Sequence, residues 1–263
     1  MGYGNEEVFL SPAERRALVD SLMGKTVDVI IDRPIGYTHV TKGITLHYAI
    51  NYGYLPGITG GDGEEQDVYI LGVQEPLERF TGKIIAAVFR SDDNEDKLVA
   101  APEGMEFHQA QIAEAIHFVE KYFDSNVDSL VRRACGVIPF RKTDVGIEYL
   151  LLLQTNGFWS FPKGHMNPFE QEVETALREL NEETGLDGDL LPELREMVTY
   201  PMDNGRTKQV VVFPGVVSGD IVLQNTEVIS CRWVAAQEAK QLLHPDFHPV
   251  MDRIQRILED RYA

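Results

Sequence analysis

The sequence predicts an α+β chain of two domains, a strand-rich N-terminal half followed by a mixed α/β layer domain. Three observations carry this. The 263 residues exceed one small module and suit two cores of ordinary size. Hydrophobic residues at 43% and charged residues at 25% exclude collagen-like, coiled-coil and wholly disordered chains. The order of elements also changes along the chain: short strands between Gly/Asp/Pro-rich turns come first, and strands alternating with helices follow.

Ser11-Pro12-Ala13-Glu14 is a capping box with Pro at the first helical position, so a short helix opens there and Gly24 closes it. Strands are expected over 27–31, 67–73 and 82–89. Ile112, Ile116, Val119 and Phe123 recur at helical spacing over 109–123, and the polar stretch 124–129 reads as a linker. The first domain therefore spans 1–127 and the second 132–263. In the second, strands over 134–140 and 148–153 flank a polar turn near Lys142-Thr143-Asp144. A long helix over 168–184, strands over 208–217 and 228–234 and a helical tail follow. The chain has neither an internal repeat nor a low-complexity tract.

The charge excludes some partners. Forty-two acids against 24 Lys and Arg give −18, which repels phosphate backbones and anionic lipid. DNA and membranes are not expected partners, whereas a small phosphorylated ligand can be held by a few local cations or metal ions. Cys135 and Cys231 form no CxxC or Cys/His spacing, so free thiols are expected. Met1–Glu6 is acidic and lacks an apolar stretch, and the longest aliphatic run, Leu150–Leu153, is too short to span a bilayer. These features read as cytoplasmic, with self-association left open.

The long helix carries the chemistry. Asn167-Pro168-Phe169-Glu170 is a cap pattern and Gly185 an αL stop. Val173, Ala176, Leu177 and Leu180 define the core face, while Glu172, Glu179, Glu182 and Glu183 lie within about 100° of one another on another face. Six acids share the helix with one base, Arg178, and Glu182 and Glu183 sit in the last turn, where the macrodipole disfavours anions. Carboxylates held against such repulsion suit Mg²⁺ or Mn²⁺, which in turn bind phosphate oxygens.

Gly164, Glu170, Arg178, Glu179, Leu180, Glu182, Glu183, Gly185 and Leu186 match every specified position of the Nudix box, G-x5-E-x7-R-E-U-x-E-E-x-G-U, and the likeness extends over roughly residues 132–263. The resemblance implies an α/β/α sandwich with a mixed sheet that hydrolyses a nucleoside diphosphate linked to another moiety. It also implies Glu179, Glu182, Glu183 and the Gly164 carbonyl as metal ligands, with Arg178 orienting the carboxylates. Trp159, Phe161-Pro162-Lys163-Gly164-His165, Tyr200 and Lys208 resemble the asymmetrical diadenosine tetraphosphate hydrolases. That likeness implies Lys163 beside the phosphates, Tyr200 stacked on a base, and Glu227 as a further metal ligand or water activator; Lys208 is expected as a second phosphate contact and His165 as a further substrate contact. Pro201 is a mark of ADP-ribose hydrolases, which keeps ADP-ribose and nucleotide sugars as alternative substrates. A nucleotide-sensing regulatory role is a further alternative. Trp159 and Tyr200 fit core packing as well as base stacking.

Asn51–Gly57, Asp62–Val68 and Glu95–Leu98 resemble soluble inorganic pyrophosphatase in their order, over roughly residues 25–125. The resemblance implies a small β-barrel. It also implies functional roles for Asp32, Tyr52 and Lys97, and candidate metal ligands at Asp62, Glu64, Asp67 and Glu95. The chain departs from that family in a segment between Asp32 and Asn51 too short to carry the family's lysine, glutamate and arginine, with Lys42 read as the nearby cation, and in placing Phe123 where the family has a phosphate-binding lysine. A degenerate or redirected domain is therefore expected ahead of a competent pyrophosphatase; acidic turns on a structural barrel are the plain alternative.

Overall fold

The computed structural model describes residues 9–41, 43–224 and 226–262. The Met1–Glu6 segment, Lys42 and Asn225 lie outside the described residues. Two compact units divide between Val131 and Arg132.

In the first unit, α1 (Pro12–Leu22) starts at the expected Ser11–Glu14 capping box, with Glu14 N donating to Ser11 Oγ at 3.4 Å. Strands β1 (Thr26–Arg33), β2 (Thr38–Thr41), β3 (Ile44–His47), β4 (Asn51–Thr59), β5 (Glu65–Ile70), β6 (Arg79–Arg90) and β7 (Lys97–Ala101) follow, then α2 (Gln109–Glu120) and β8 (Ser125–Ser129). The order β1-β4-β5-β7-β6 closes through a β1–β6 pairing into a five-stranded barrel, and β2 and β3 form a separate hairpin. Both faces of its wall are covered. Val68 and Ile70 join Leu98 and Ala100 in one core with Val19 and Leu22 of α1. Tyr69 and Leu71 join Val99 and Ala101 in another with Ile112 and Ile116 of α2. Burial on both faces removes the period-2 signal, which is why β7 was not expected from the sequence.

The 124–129 stretch is not a linker. Ser125–Ser129 pairs antiparallel with β6, from Arg90↔Ser125 to Ala86↔Ser129, so the first unit ends at Val131 rather than near 127. Backbone pairing at a sheet edge satisfies this strand without an apolar pattern, and Val127 alone packs on the core beneath α2.

The second unit contains β9 (Val131–Thr143), β10 (Gly146–Gln154), β11 (Trp159–Ser160), β12 (Lys163–His165), α3 (Glu172–Thr184), β13 (Asp187–Leu190), β14 (Glu196–Pro201), β15 (Thr207–Ser218), β16 (Val228–Ala235), α4 (Ala236–Leu242) and α5 (His248–Tyr262). Its sheet runs β11-β10-β9-β15-β13, with β16 on β10, β12 on β9 and β14 on β15. Leu150 and Leu152 face α3 through Ala176 and Leu180. Tyr149 and Leu151 face α4 and α5 through Ala239, Met251 and Ile254. This is the expected α/β/α layering, and the Leu150–Leu153 run is apolar because both sheet faces are covered.

The long helix starts later than its sequence predicts. Asn167–Glu170 is a tight turn, with Pro168 second and Phe169 third at φ 67°, and Glu170 N donates to Asn167 O at 3.4 Å. The helix is capped instead at Gln171, whose N–H donates to Glu174 Oε2 at 2.7 Å. Gly185 ends it in the αL conformation at φ 72°.

Candidate active site

Two approaches of backbone to helix build the site. β12 pairs with β9 at Gly164↔Cys135, which lays the 163–165 backbone across the start of α3's acidic face. A Cβ on Gly164 would lie 2.0 Å from Glu179 Cδ, so only glycine lets the strand carbonyls and this carboxylate meet. Gly164, His165, Asn167, Arg178, Glu179, Glu182, Glu183, Gln224 and Glu227 together line a cleft of about 220 Å³. Gly164, Glu179, Glu182, Glu183 and Glu227, the metal ligands that the C-terminal resemblance implies, are all among them.

Arg178 organises the acids. Its Nε donates to Glu170 Oε1 at 2.7 Å and its Nη2 to Glu170 Oε2 and His165 O, each at 3.0 Å. Its Nη1 reaches Glu179 Oε1 at 2.7 Å and Glu182 Oε2 at 3.0 Å. Glu170 also accepts from Thr175 Oγ1 at 2.7 Å; the Arg178 hydrogen bonds, ahead of that contact, hold its carboxyl down at about 2. Glu172 leaves the stripe expected on the wheel, because Arg133 Nη1 (2.5 Å) and Arg195 Nε (2.6 Å) pull its carboxylate aside. Those bases come from β9 and the segment after α3, so counting charges within the helix could not find them.

Glu183 is 3% exposed, and burial pushes its carboxyl up to about 7. Its Oε1 accepts from Gln154 Nε2 at 3.2 Å and its Oε2 from Lys163 N at 3.0 Å. Burial also raises Glu179 above the usual carboxylate range, although Arg178 opposes the shift. Glu227 joins the group because Thr155 N donates to its carbonyl at 2.8 Å and Gln224 N donates to Glu183 O at 3.2 Å, tying the loop before β16 to the end of α3.

Cations flank the acids on one side. Lys208 Nζ donates to His165 Nε2 at 2.8 Å, which requires a neutral imidazole; burial, then the Lys208 charge, holds that ring down at about 4. Burial, with Lys163 nearby, brings Lys208 itself down to about 8. Tyr200 stands opposite Lys208 across the β14–β15 ladder, so both side chains share one sheet face. The Tyr200 ring is half-buried against the core, 5.9 Å from the His244 ring. Trp159 packs on the same core with Arg232 5.1 Å above its ring and is not among the residues lining the cleft.

Among the described residues no three acidic, histidine or cysteine side chains converge on one point as a ready metal cage. The donor set nevertheless suits hard divalent cations. Three helix carboxylates, Glu227 and Gly164 border one cleft, and the guanidinium bridging two of the acids is 27% exposed. Sequence reasoning missed Gln154, the polar residue ending the aliphatic run on β10. If it orients Glu183 for a cation, Gln154→Leu is expected to weaken Mn²⁺ binding about 10- to 100-fold, read by calorimetry without substrate. Unchanged affinity would show that the Lys163 N–H suffices.

The barrel residues separate into two places. Asp67, Glu95, Lys97 and Tyr52 form one cluster, in which Lys97 Nζ donates to Tyr52 Oη at 2.7 Å and to Asp67 Oδ2 at 2.5 Å. Asp62 and Glu64 instead lie in the turn before β5, where Glu64 N donates to Asp62 Oδ1 at 3.1 Å. The cluster has more cations than its sequence predicts. Arg33, just after Asp32, donates to Tyr48 Oη at 2.7 Å and lies 5.0 Å over the Tyr52 ring, and Arg90 pairs with Glu95 at 3.1 Å.

Residues 130–254 match the NUDIX domain family. The chain is 36% identical over 123 residues to the asymmetrical bis(5'-nucleosyl)-tetraphosphatase of Rattus norvegicus, covering 42% of this chain and 83% of that protein. It is 38% identical over 96 residues to an 8-oxo-(d)GTP phosphatase of Mycolicibacterium smegmatis, covering 36% of this chain and 29% of that protein. The crystal structure of a C. elegans Ap4A hydrolase binary complex aligns at 24% identity over 49% of this chain and 98% of that one, with a TM-score of 0.45. The acidic cleft and the relative matched over most of its length lead to the same assignment: the chain belongs to the Nudix family and is a Nudix pyrophosphohydrolase.

Proposed function

We propose that the cleft hydrolyses a dinucleoside polyphosphate, converting diadenosine tetraphosphate to ATP and AMP with Mg²⁺ or Mn²⁺. The observation that carries this reading is the Lys208–His165 contact beside the acids, with Tyr200 on the same sheet face. In this reading Tyr200 is the base platform, Lys208 a phosphate contact and the acidic cleft the metal site, an order that matches the parts of a nucleoside polyphosphate. The name of the rat relative supports the same substrate class.

In this reading Glu179, Glu182, Glu183, Glu227 and the Gly164 carbonyl hold the cations, which supply charge neutralisation at the phosphoryl oxygens. Lys163 and Lys208 bind the flanking phosphates, and neutral His165 fixes Lys208. Arg178 orients the carboxylates of Glu170, Glu179 and Glu182. Glu227 receives a proton as water adds to phosphorus and the bridging P–O bond breaks. The net charge of −18 fits a small ligand held locally, and two unpaired thiols fit a cytoplasmic setting. Among the described residues no helix is long and apolar enough to cross a membrane. For the N-terminal barrel we propose a pyrophosphatase-like origin with at most slow turnover of pyrophosphate.

The experiment is a substrate panel of diadenosine tetraphosphate, ADP-ribose, a nucleotide sugar and pyrophosphate, each with Mg²⁺ and with Mn²⁺. Preference for ADP-ribose with dinucleotides untouched would replace the reading, and binding without turnover of any member would favour a nucleotide sensor.

A further inference from the structure

The barrel's acidic cluster and the C-terminal cleft balance their charge in opposite ways. In the cleft the guanidinium among the acids is accessible, and Glu182 is 52% exposed. In the barrel the counter-ions are sealed in: Arg90 is 2% and Lys97 4% exposed. Arg90 Nη1 donates to Asp93 Oδ2 at 3.2 Å and Glu95 Oε2 at 3.1 Å. Its Nε and Nη2 grip Glu120 at 3.0 and 2.7 Å, and the Phe123 ring lies 3.6 Å from the guanidinium carbon. Lys97 Nζ contacts Glu95 Oε1 as well as Asp67, and Tyr52 Oη donates to the same Asp67 oxygen at 2.5 Å. Glu95 therefore has both oxygens engaged by fixed cations, and Asp67 Oδ2 accepts twice.

The residues that a pyrophosphatase-like barrel would use for a metal thus do not fit one. A guanidinium does not give up its proton, so a divalent cation arriving at Glu95 would meet the buried positive charge of Arg90, which cannot withdraw into solvent. We infer that Arg90 and Lys97 stand where divalent cations would otherwise sit, making the N-terminal barrel a metal-free unit of a metal-dependent enzyme. Phe123 has a matching role: an aromatic face at that position covers Arg90, whereas a lysine would add a third cation.

The test uses the full chain carrying Glu182→Gln and Glu183→Gln, which silences the cleft, with Mn²⁺ titrated by electron paramagnetic resonance. No saturable binding at millimolar Mn²⁺ or below is expected, and a saturable site removed by Asp67→Asn would overturn the inference. In the same background Arg90→Met is expected to tighten Mn²⁺ binding by at least about tenfold, because Asp93, Glu95 and Glu120 lose their shared counter-ion. If Arg90→Met does not fold, Lys97→Met makes the same comparison at Asp67 and Glu95. A folded variant whose Mn²⁺ binding matches its background would show that the buried cations are not what keeps metal out.

Discussion

Glu183→Gln is expected to lower kcat by about 100-fold or more while raising the unfolding temperature of the metal-free protein. Both effects come from one burial. Gln keeps the shape and can still accept from Lys163 N, while Gln154 must turn its amide oxygen toward the new NH2 group, but it removes the negative charge a cation needs. The stability gain follows from linkage: the folded carboxyl is raised to about 7 against roughly 4.3 when unfolded, so the stability it contributes is full below the unfolded value and is lost as pH rises through about 7. The parent should therefore lose stability between about pH 4.5 and 7 in a step that the Gln variant lacks. Glu182→Gln should also lose most turnover, with a smaller thermal change because its side chain is half exposed. Thermal scans in chelator across pH, paired with turnover, check both. Near-normal activity in both variants would remove the acidic cleft from the reaction.

Tyr200→Ala is expected to raise KM for a dinucleoside substrate by 1–3 kcal/mol, roughly 5- to 150-fold, if the ring carries a base. Because Tyr200 also packs on the core, alanine will cost stability, so the loss alone decides nothing. Tyr200→Phe separates the two roles, since it keeps both the stacking face and the packing and should restore KM. Inorganic tripolyphosphate, which has no base, should be insensitive to either change as a competitive inhibitor. Equal loss of affinity for the dinucleotide and for tripolyphosphate would make Tyr200 a structural residue.

The candidate site was legible because its spacing is local. Gly164 through Leu186 is one strand end, one turn and one helix, and the rule that places residues three and four apart on a common helix face aligns Glu179, Glu182 and Glu183. What escaped is what arrives from elsewhere in the chain. Gln154 comes from β10, and Arg133 and Arg195 redirect Glu172 from outside the helix. The turn at Asn167–Glu170 imitates a helix cap because Glu170 accepts from Asn167 N at 3.1 Å, as a capping residue would, although the helix begins two residues later. In the barrel, α1 and α2 cover both sides of the wall and alternation is lost in β5 and β7 alike; β5 still shows as an apolar run, Val68–Leu71, between turn residues, whereas the shorter β7 was not expected. Arg90 ends an apolar strand and looks like a solvent-facing terminus, and only the fold shows it enclosed by Glu95, Glu120 and Phe123.

The most direct measurement is product identification from diadenosine tetraphosphate with the full-length chain and Mg²⁺ or Mn²⁺, resolved by ion-exchange chromatography at low conversion. Equimolar ATP and AMP, absent when Glu183→Gln replaces the parent, is the result predicted for asymmetric cleavage in the acidic cleft. Two molecules of ADP, or intact dinucleotide alongside cleaved ADP-ribose, would contradict it.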